Sequence, residues 1–137
     1  MTYEKSCGFV AYKEVGGRRL YLIIHSSNGD YGFPKGHVET GESEHETATR
    51  ELKEETNLDV VPIDGFRQQI EYRLPNKANV IKQSVYFLGR CTSADVVPQV
   101  GEVSEVLFLP YEEAIQLLTF EDTKRILGKA DTYLNTL

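Results

Sequence analysis

Seven carboxylates, Glu39, Glu42, Glu44, Glu46, Glu51, Glu54 and Glu55, fall within seventeen residues and face only two cations, Arg50 and Lys53. That segment carries −5 of the chain's formal −6, so the other 120 residues are close to neutral and the acidity belongs to a site. Like charges three or four apart on a helix repel by roughly 0.2 to 0.5 kcal/mol per pair, so a positive species is expected beside them. On a helix turning about 100 degrees per residue, Glu51, Glu54 and Glu55 share one face. Arg50 stands four residues before Glu54, where it can hold that carboxylate, and small Ala48 on the side of Glu51 leaves space above them. Carboxylates gathered this way are hard oxygen ligands suited to magnesium, with manganese as an alternative. The absence of His or Cys partners at metal spacing argues against zinc.

The helix carrying these groups starts at Ser43, which forms a capping box with Glu46, and ends near Asn57, a residue that tolerates the left-handed turn past a helix end. Ahead of it lies a loop, residues 26–36, dense in turn formers. Residues 8–12 and 20–24, joined at Gly16-Gly17, read as a hairpin whose second strand is central. Downstream the pattern predicts strands at 60–63 and 66–74 separated by Asp64-Gly65, a turn at Pro75-Asn76, and strands at 85–88 and 103–109. Helices follow at 111–118 and, after a Thr119 cap, from 121 to about 134. Strands with few, separated helices predict an α+β fold with a mixed β-sheet, a single domain over 1–137. No apolar run is long enough to span a membrane, no secretory signal opens the chain, and no extended basic face suits duplex nucleic acid. Cys7 and Cys91 sit in apolar runs and read as buried, inert thiols of a cytoplasmic protein.

The spacing Gly36, five residues, Glu42, seven residues, Arg50-Glu51-Leu52, one residue, Glu54-Glu55, one residue, Asn57-Leu58 resembles the Nudix box of hydrolases acting on nucleoside diphosphates linked to another group. A solvated acidic helix, the ordinary alternative, has no reason to keep these positions. Asn57 stands where the family pattern has glycine. The resemblance implies an α/β/α sandwich in which Glu51 and Glu55 bind metal with Glu54 close behind. It further implies that the carbonyl of Gly36 is a ligand, that Arg50 orients a glutamate, and that Glu42 reaches the site from the loop. For a metal-binding or water-activating glutamate outside the helix, it points to residues 101–106, where Glu102 ranks first and Glu105 is the alternative.

The segment Pro34-Lys35-Gly36-His37-Val38-Glu39 resembles asymmetrical diadenosine tetraphosphate hydrolases. It suggests that Lys35 and His37 meet phosphates at the mouth of the metal site. Residues 66–82 carry a local net charge of +3, and the order Phe66, Tyr72, Lys77, Lys82 resembles the same enzymes, in which a tyrosine stacks on adenine and a lysine contacts phosphate. Tyr72 reads equally as an edge residue of the core. The expected activity is magnesium-dependent hydrolysis of a dinucleoside polyphosphate, most simply diadenosine tetraphosphate to ATP and AMP, by attack of a metal-activated water on phosphorus. Alternatives are hydrolysis of nucleoside triphosphates, oxidised ones included, or other nucleoside-diphosphate-linked compounds, and a nucleotide-binding module without catalysis. The chain could act as a monomer or a homodimer.

Overall fold

The computed structural model describes residues 2–74 and 79–137; the expected turn at Pro75-Asn76 and the candidate Lys77 lie outside the described residues. Residues 8–12 form the middle of a longer strand, β1 (Thr2–Val15). It turns through Gly16 and Gly17, both at positive φ, into β2 (Arg18–Ser26). Along one edge β1 runs parallel to β6 (Val80–Cys91), from Thr2 opposite Val80 to Tyr12 opposite Arg90. Along its other edge it changes partner. Residues 12–15 pair with β2, while residues 6–8 pair with the short β4 (Lys35–His37). β2 also pairs with β3 (Tyr31–Gly32) and β7 (Val103–Leu109), so it is interior as expected, and β5 (Val60–Arg73) lies outside β6. One parallel pair among antiparallel ones makes the sheet mixed.

Both faces of this sheet are covered, which is why the central strands read as unbroken apolar runs. Cys7, Phe9 and Ala11 enter one core with Ala48, Leu52 and Leu58, beneath α1 (Glu44–Thr56). Val10 and Tyr12 point the opposite way into a second core with Ala114, Leu118 and Leu127, beneath α2 (Tyr111–Leu117) and α3 (Glu121–Asn135). The result is the expected sandwich of helices about a sheet. No helix among the described residues is long and apolar enough to cross a membrane.

Three local expectations need correction. Residues 60–63 and 66–74 belong to one strand, because the Asp64-Gly65 turn is a bulge: the register with β6 shifts between Pro62 and Arg67, and Gly65 adopts φ 89°. Tyr133 occupies the space a side chain on Gly65 would fill, and its hydroxyl donates to the Asp64 carbonyl at 2.6 Å. Thr119 does not cap α3. The N-cap is Phe120, and the Thr119 hydroxyl instead accepts the Tyr31 N–H at 2.8 Å while its own N–H donates to the Tyr31 carbonyl, which ties β3 to the α2–α3 junction. Cys7 is fully buried but Cys91 only half so; both are free thiols, and burial pushes each up to about 11.

Two stability predictions follow from this packing. A methyl on Gly8 would meet the Pro34 carbonyl and the Lys35 Cβ, because the chain entering β4 at Pro34 and Lys35 lies against it, whereas Gly32 has open space and an ordinary backbone. Gly8→Ala is therefore expected to lose about 1 to 3 kcal/mol in urea unfolding, with Gly32→Ala within about 0.5 kcal/mol of wild type. Glu44 joins three elements, accepting from Arg67 Nε and NH2 at 3.0 and 2.9 Å and from Lys5 Nζ at 2.9 Å. Chiefly through Arg67, its carboxyl is lowered from 4.5 to about 2. A lowered carboxyl stabilises the fold fully above its unfolded value and loses that effect as pH falls through the folded one. The Tm gap between wild type and Glu44→Gln should hold from pH 7 to about 5 and close towards pH 2.

Candidate active site

The expected capping box is present: Ser43 Oγ accepts from the Glu46 N–H at 3.1 Å and Glu46 Oε1 accepts from the Ser43 N–H at 2.8 Å. At the other end Asn57 takes the left-handed conformation, φ 66°, in place of a glycine. The carbonyls left over at this end are taken up by a returning segment, with the Val97 N–H donating to Thr56 and the Gln99 N–H to Glu55. Helix α1 is thus held at both ends, which fixes the side chains that project from it.

Arg50 organises the acidic face. Its Nε donates to Glu42 Oε2 at 2.7 Å, NH1 to Glu51 Oε2 at 2.6 Å and to Glu54 Oε2 at 3.2 Å, and NH2 to Glu42 Oε1 and to the His37 carbonyl. The expected Glu54 contact is therefore the longer one, and the closest partners are Glu51 and the loop residue Glu42. Thr47 completes the hold on Glu42 with a 2.8 Å hydrogen bond. Arg50, followed by the Glu39 N–H, keeps the Glu42 carboxyl down at about 2. Glu54 is half exposed on the outer side, at 47%.

Glu51 and Glu55 turn inward together. The Glu51 carboxylate fills the space where a Cβ on Gly36 would lie, so close approach requires glycine there. Ala48, expected to leave open space, is instead fully buried against the sheet, and the room beside Glu51 comes from Gly36. Burial and then the neighbouring Glu51 push Glu55 up to about 8, against the opposing effect of the Lys35 N–H. Glu55 Oε2 is buried without a hydrogen-bond partner. A carboxylate pair with an orphaned buried oxygen, beside a backbone stripped of side chain, suits a hard divalent cation. Among the described residues no three His, Cys, Asp or Glu side chains already form a metal cage. A cation here would draw further oxygens from the backbone, water or a bound phosphate, as magnesium commonly does.

Glu55 also lines a cavity of about 500 Å³, together with Lys35, Phe33, Tyr72, Tyr86 and Phe120. Strand pairing explains the grouping: Tyr72 lies opposite Lys82, Ile70 opposite Ser84, and Gly8 opposite both Tyr86 and Lys35, so these positions share one face of the sheet. Lys35 Nζ donates to Ser84 Oγ at 3.2 Å; burial, then Lys82, lowers its ammonium to about 8. Lys82, on the same face of the sheet as Ser84, is near enough for its charge to be felt at Lys35. Tyr72 is 38% exposed at the cavity wall.

Other candidates fall elsewhere. Arg67, counted in the basic stretch, projects to the opposite face and is spent on Glu44, because residues one apart on a strand alternate faces. His37 is exposed, and the group it offers to the site is its carbonyl, bonded to Arg50. The side chain of Glu102 is exposed and does not line the cavity; its described hydrogen bonds are those of its backbone, to Ser27 and Gln99. Gly8, Ser84, Tyr86, Phe120 and Asp122 were missed, since each looks in sequence like an ordinary strand or helix-start residue. Arg50→Lys removes the fork that holds Glu42 and Glu51 together. Mn2+ binding followed by electron paramagnetic resonance should weaken at least roughly tenfold while the far-ultraviolet circular dichroism stays unchanged.

Comparison with known proteins matches this geometry. A family model of the NUDIX domain covers residues 5–129. The asymmetrical bis(5'-nucleosyl)-tetraphosphatase of Sus scrofa is 31% identical over 95% of both chains, and that of Rattus norvegicus 28% over the same shares. A C. elegans Ap4A hydrolase binary complex superposes with a TM-score of 0.88 at 26% identity, covering 98% of this chain and 99% of that one. With the NUDIX domain model matched over residues 5–129 and a relative 31% identical over nearly the whole chain, the chain belongs to the Nudix family.

Proposed function

We propose that this Nudix hydrolase cleaves dinucleoside polyphosphates, with diadenosine tetraphosphate split to ATP and AMP as the leading reaction. The observation that carries this reading is a single cavity lined by Glu55, Lys35 and the aromatic rings of Tyr72 and Phe120, with Glu51 beside Glu55 and the charge of Lys82 felt at Lys35. Nudix hydrolases generally use divalent metals such as Mg2+. Bound here, the cation would neutralise phosphate oxygens and acidify a water for attack on phosphorus.

The chain's own residues supply the rest. Glu51 and Glu55, with the Gly36 backbone, would hold the cation; Glu54, joined to Arg50, stands beside them. Lys35 and Lys82 place positive charge where phosphates beyond the attacked one would extend, and little side-chain motion is available to a lysine already packed over Gly8. Tyr72 offers a ring on which a base can stack, worth about 1 to 3 kcal/mol. Glu102 would act as a water-activating group only if the loop carrying it closes on bound substrate. The similarity to asymmetrical tetraphosphatases over nearly the whole chain supports the dinucleotide over a single triphosphate. The intact Glu51–Glu55 pair favours catalysis over a module that only binds.

A panel of dinucleoside polyphosphates, nucleoside triphosphates and nucleotide sugars, hydrolysed with Mg2+ in oxygen-labelled water, tests the reading. Diadenosine tetraphosphate should give the highest kcat/KM. A simple triphosphate preferred by more than about tenfold, or 1.4 kcal/mol, would exclude the dinucleotide assignment. Glu55→Gln keeps shape and removes charge, and should lower kcat by at least about a hundredfold. Tyr72→Ala should instead raise KM roughly tenfold with a smaller change in kcat.

A further inference from the structure

The cavity is electrically divided. Lys35 faces the charges of Lys82 and Glu55, whereas Tyr72 faces that of Asp122, which lines the same cavity from the first turn of α3. Lys35 and Lys82 attract phosphates and the Asp122 carboxylate repels them, which favours a nucleotide lying with its base towards the aspartate. Tyr72 and Phe120, 38% and 55% exposed, flank the path that base would take. An ionised carboxylate has no proton to give; it accepts. Arg125 NH1 bonds Asp122 Oδ1 at 3.0 Å, which leaves Oδ2 outside the ion pair and open to a ligand.

We propose that Asp122 is a specificity-determining residue that selects a 6-amino purine, accepting a hydrogen bond from the exocyclic amino group of a base stacked on Tyr72. This rests on the nucleotide reading above and deepens it. A 6-oxo purine turns a lone pair towards the same oxygen and is disfavoured. Guanine presents two adjacent donors, a pattern that calls on both carboxylate oxygens at once, and here Arg125 already holds Oδ1. Asp122 does not touch the reacting phosphorus, and its effect falls on recognition.

AMP and IMP differ only in the 6-substituent and the N1 proton that accompanies the oxo form, so their binding to the full chain in Mg2+, measured by titration calorimetry, provides the test. Wild type should bind AMP about tenfold or more tighter than IMP. Asp122→Asn, whose amide can also donate, should bring the two within about threefold, mainly by tighter IMP binding. Arg125→Gln frees the second oxygen and should keep the preference for AMP. Equal affinities in wild type, an unchanged ratio in Asp122→Asn, or collapse of the ratio in Arg125→Gln as in Asp122→Asn would overturn the proposal, the last by showing that only the ion pair matters. The two readings fail separately: preference for AMP without cleavage of any dinucleoside polyphosphate would remove the proposed activity and leave this selection standing. Binding of neither nucleotide would overturn both.

Discussion

The guanidinium of Arg50 is the contact on which the site depends. A helix face bearing Glu51, Glu54 and Glu55, approached by a loop bearing Glu39 and Glu42, would repel itself apart if nothing positive stood among them. Arg50 lies within 3.6 Å of four of those carboxylates, Glu39, Glu42, Glu51 and Glu54, and also binds the His37 carbonyl. A lysine could offset the charge but could not hold several oxygens in a fixed plane. Arg50 is occupied with Glu42, Glu51 and Glu54, while Oε2 of Glu55 is left buried without a hydrogen-bond partner, and that residual need is what makes the place suited to a cation.

The sheet turns this local arrangement into a cavity. β1 exchanges one neighbour for another along a single edge, pairing with β2 near Tyr12 and with β4 near Cys7. The exchange sets Lys35 and Gly36 in the sheet itself, one facing the cavity and the other under Glu51. Gly8 permits the crossing, since any side chain there would strike Pro34 and Lys35. The parallel register of β6 then lays Ser84 and Lys82 beside Lys35, and β5 adds Tyr72. The lysines and Tyr72 are thus brought to one face by strand order.

Much of this was legible in the residues. The capping box, the left-handed Asn57, the acidic helix and most strand positions follow from local rules that act over three or four residues, and those rules were obeyed. The errors came where distant chain segments decide. Ala48 appeared to open space but packs against the sheet, since whether a small residue faces core or cleft depends on what lies opposite. Arg67 appeared to belong with Tyr72 and Lys82, but strand alternation sends it to Glu44 on the other face. Thr119 had the chemistry of a cap, yet Tyr31 offered its backbone first.

By itself the sequence determined the family and the charge chemistry, because side-chain types at set helical spacing need only the helix to become a cluster. Only the tertiary structure decided that Gly36 makes room for Glu51, that Arg50 reaches beyond Glu54 to Glu42, and that Asp122 shares a cavity with Tyr72. Residues as far apart as Lys35, Ser84 and Asp122 have no spacing rule connecting them. Their proximity is set by which strands pair, in which register, and by which face each residue then presents.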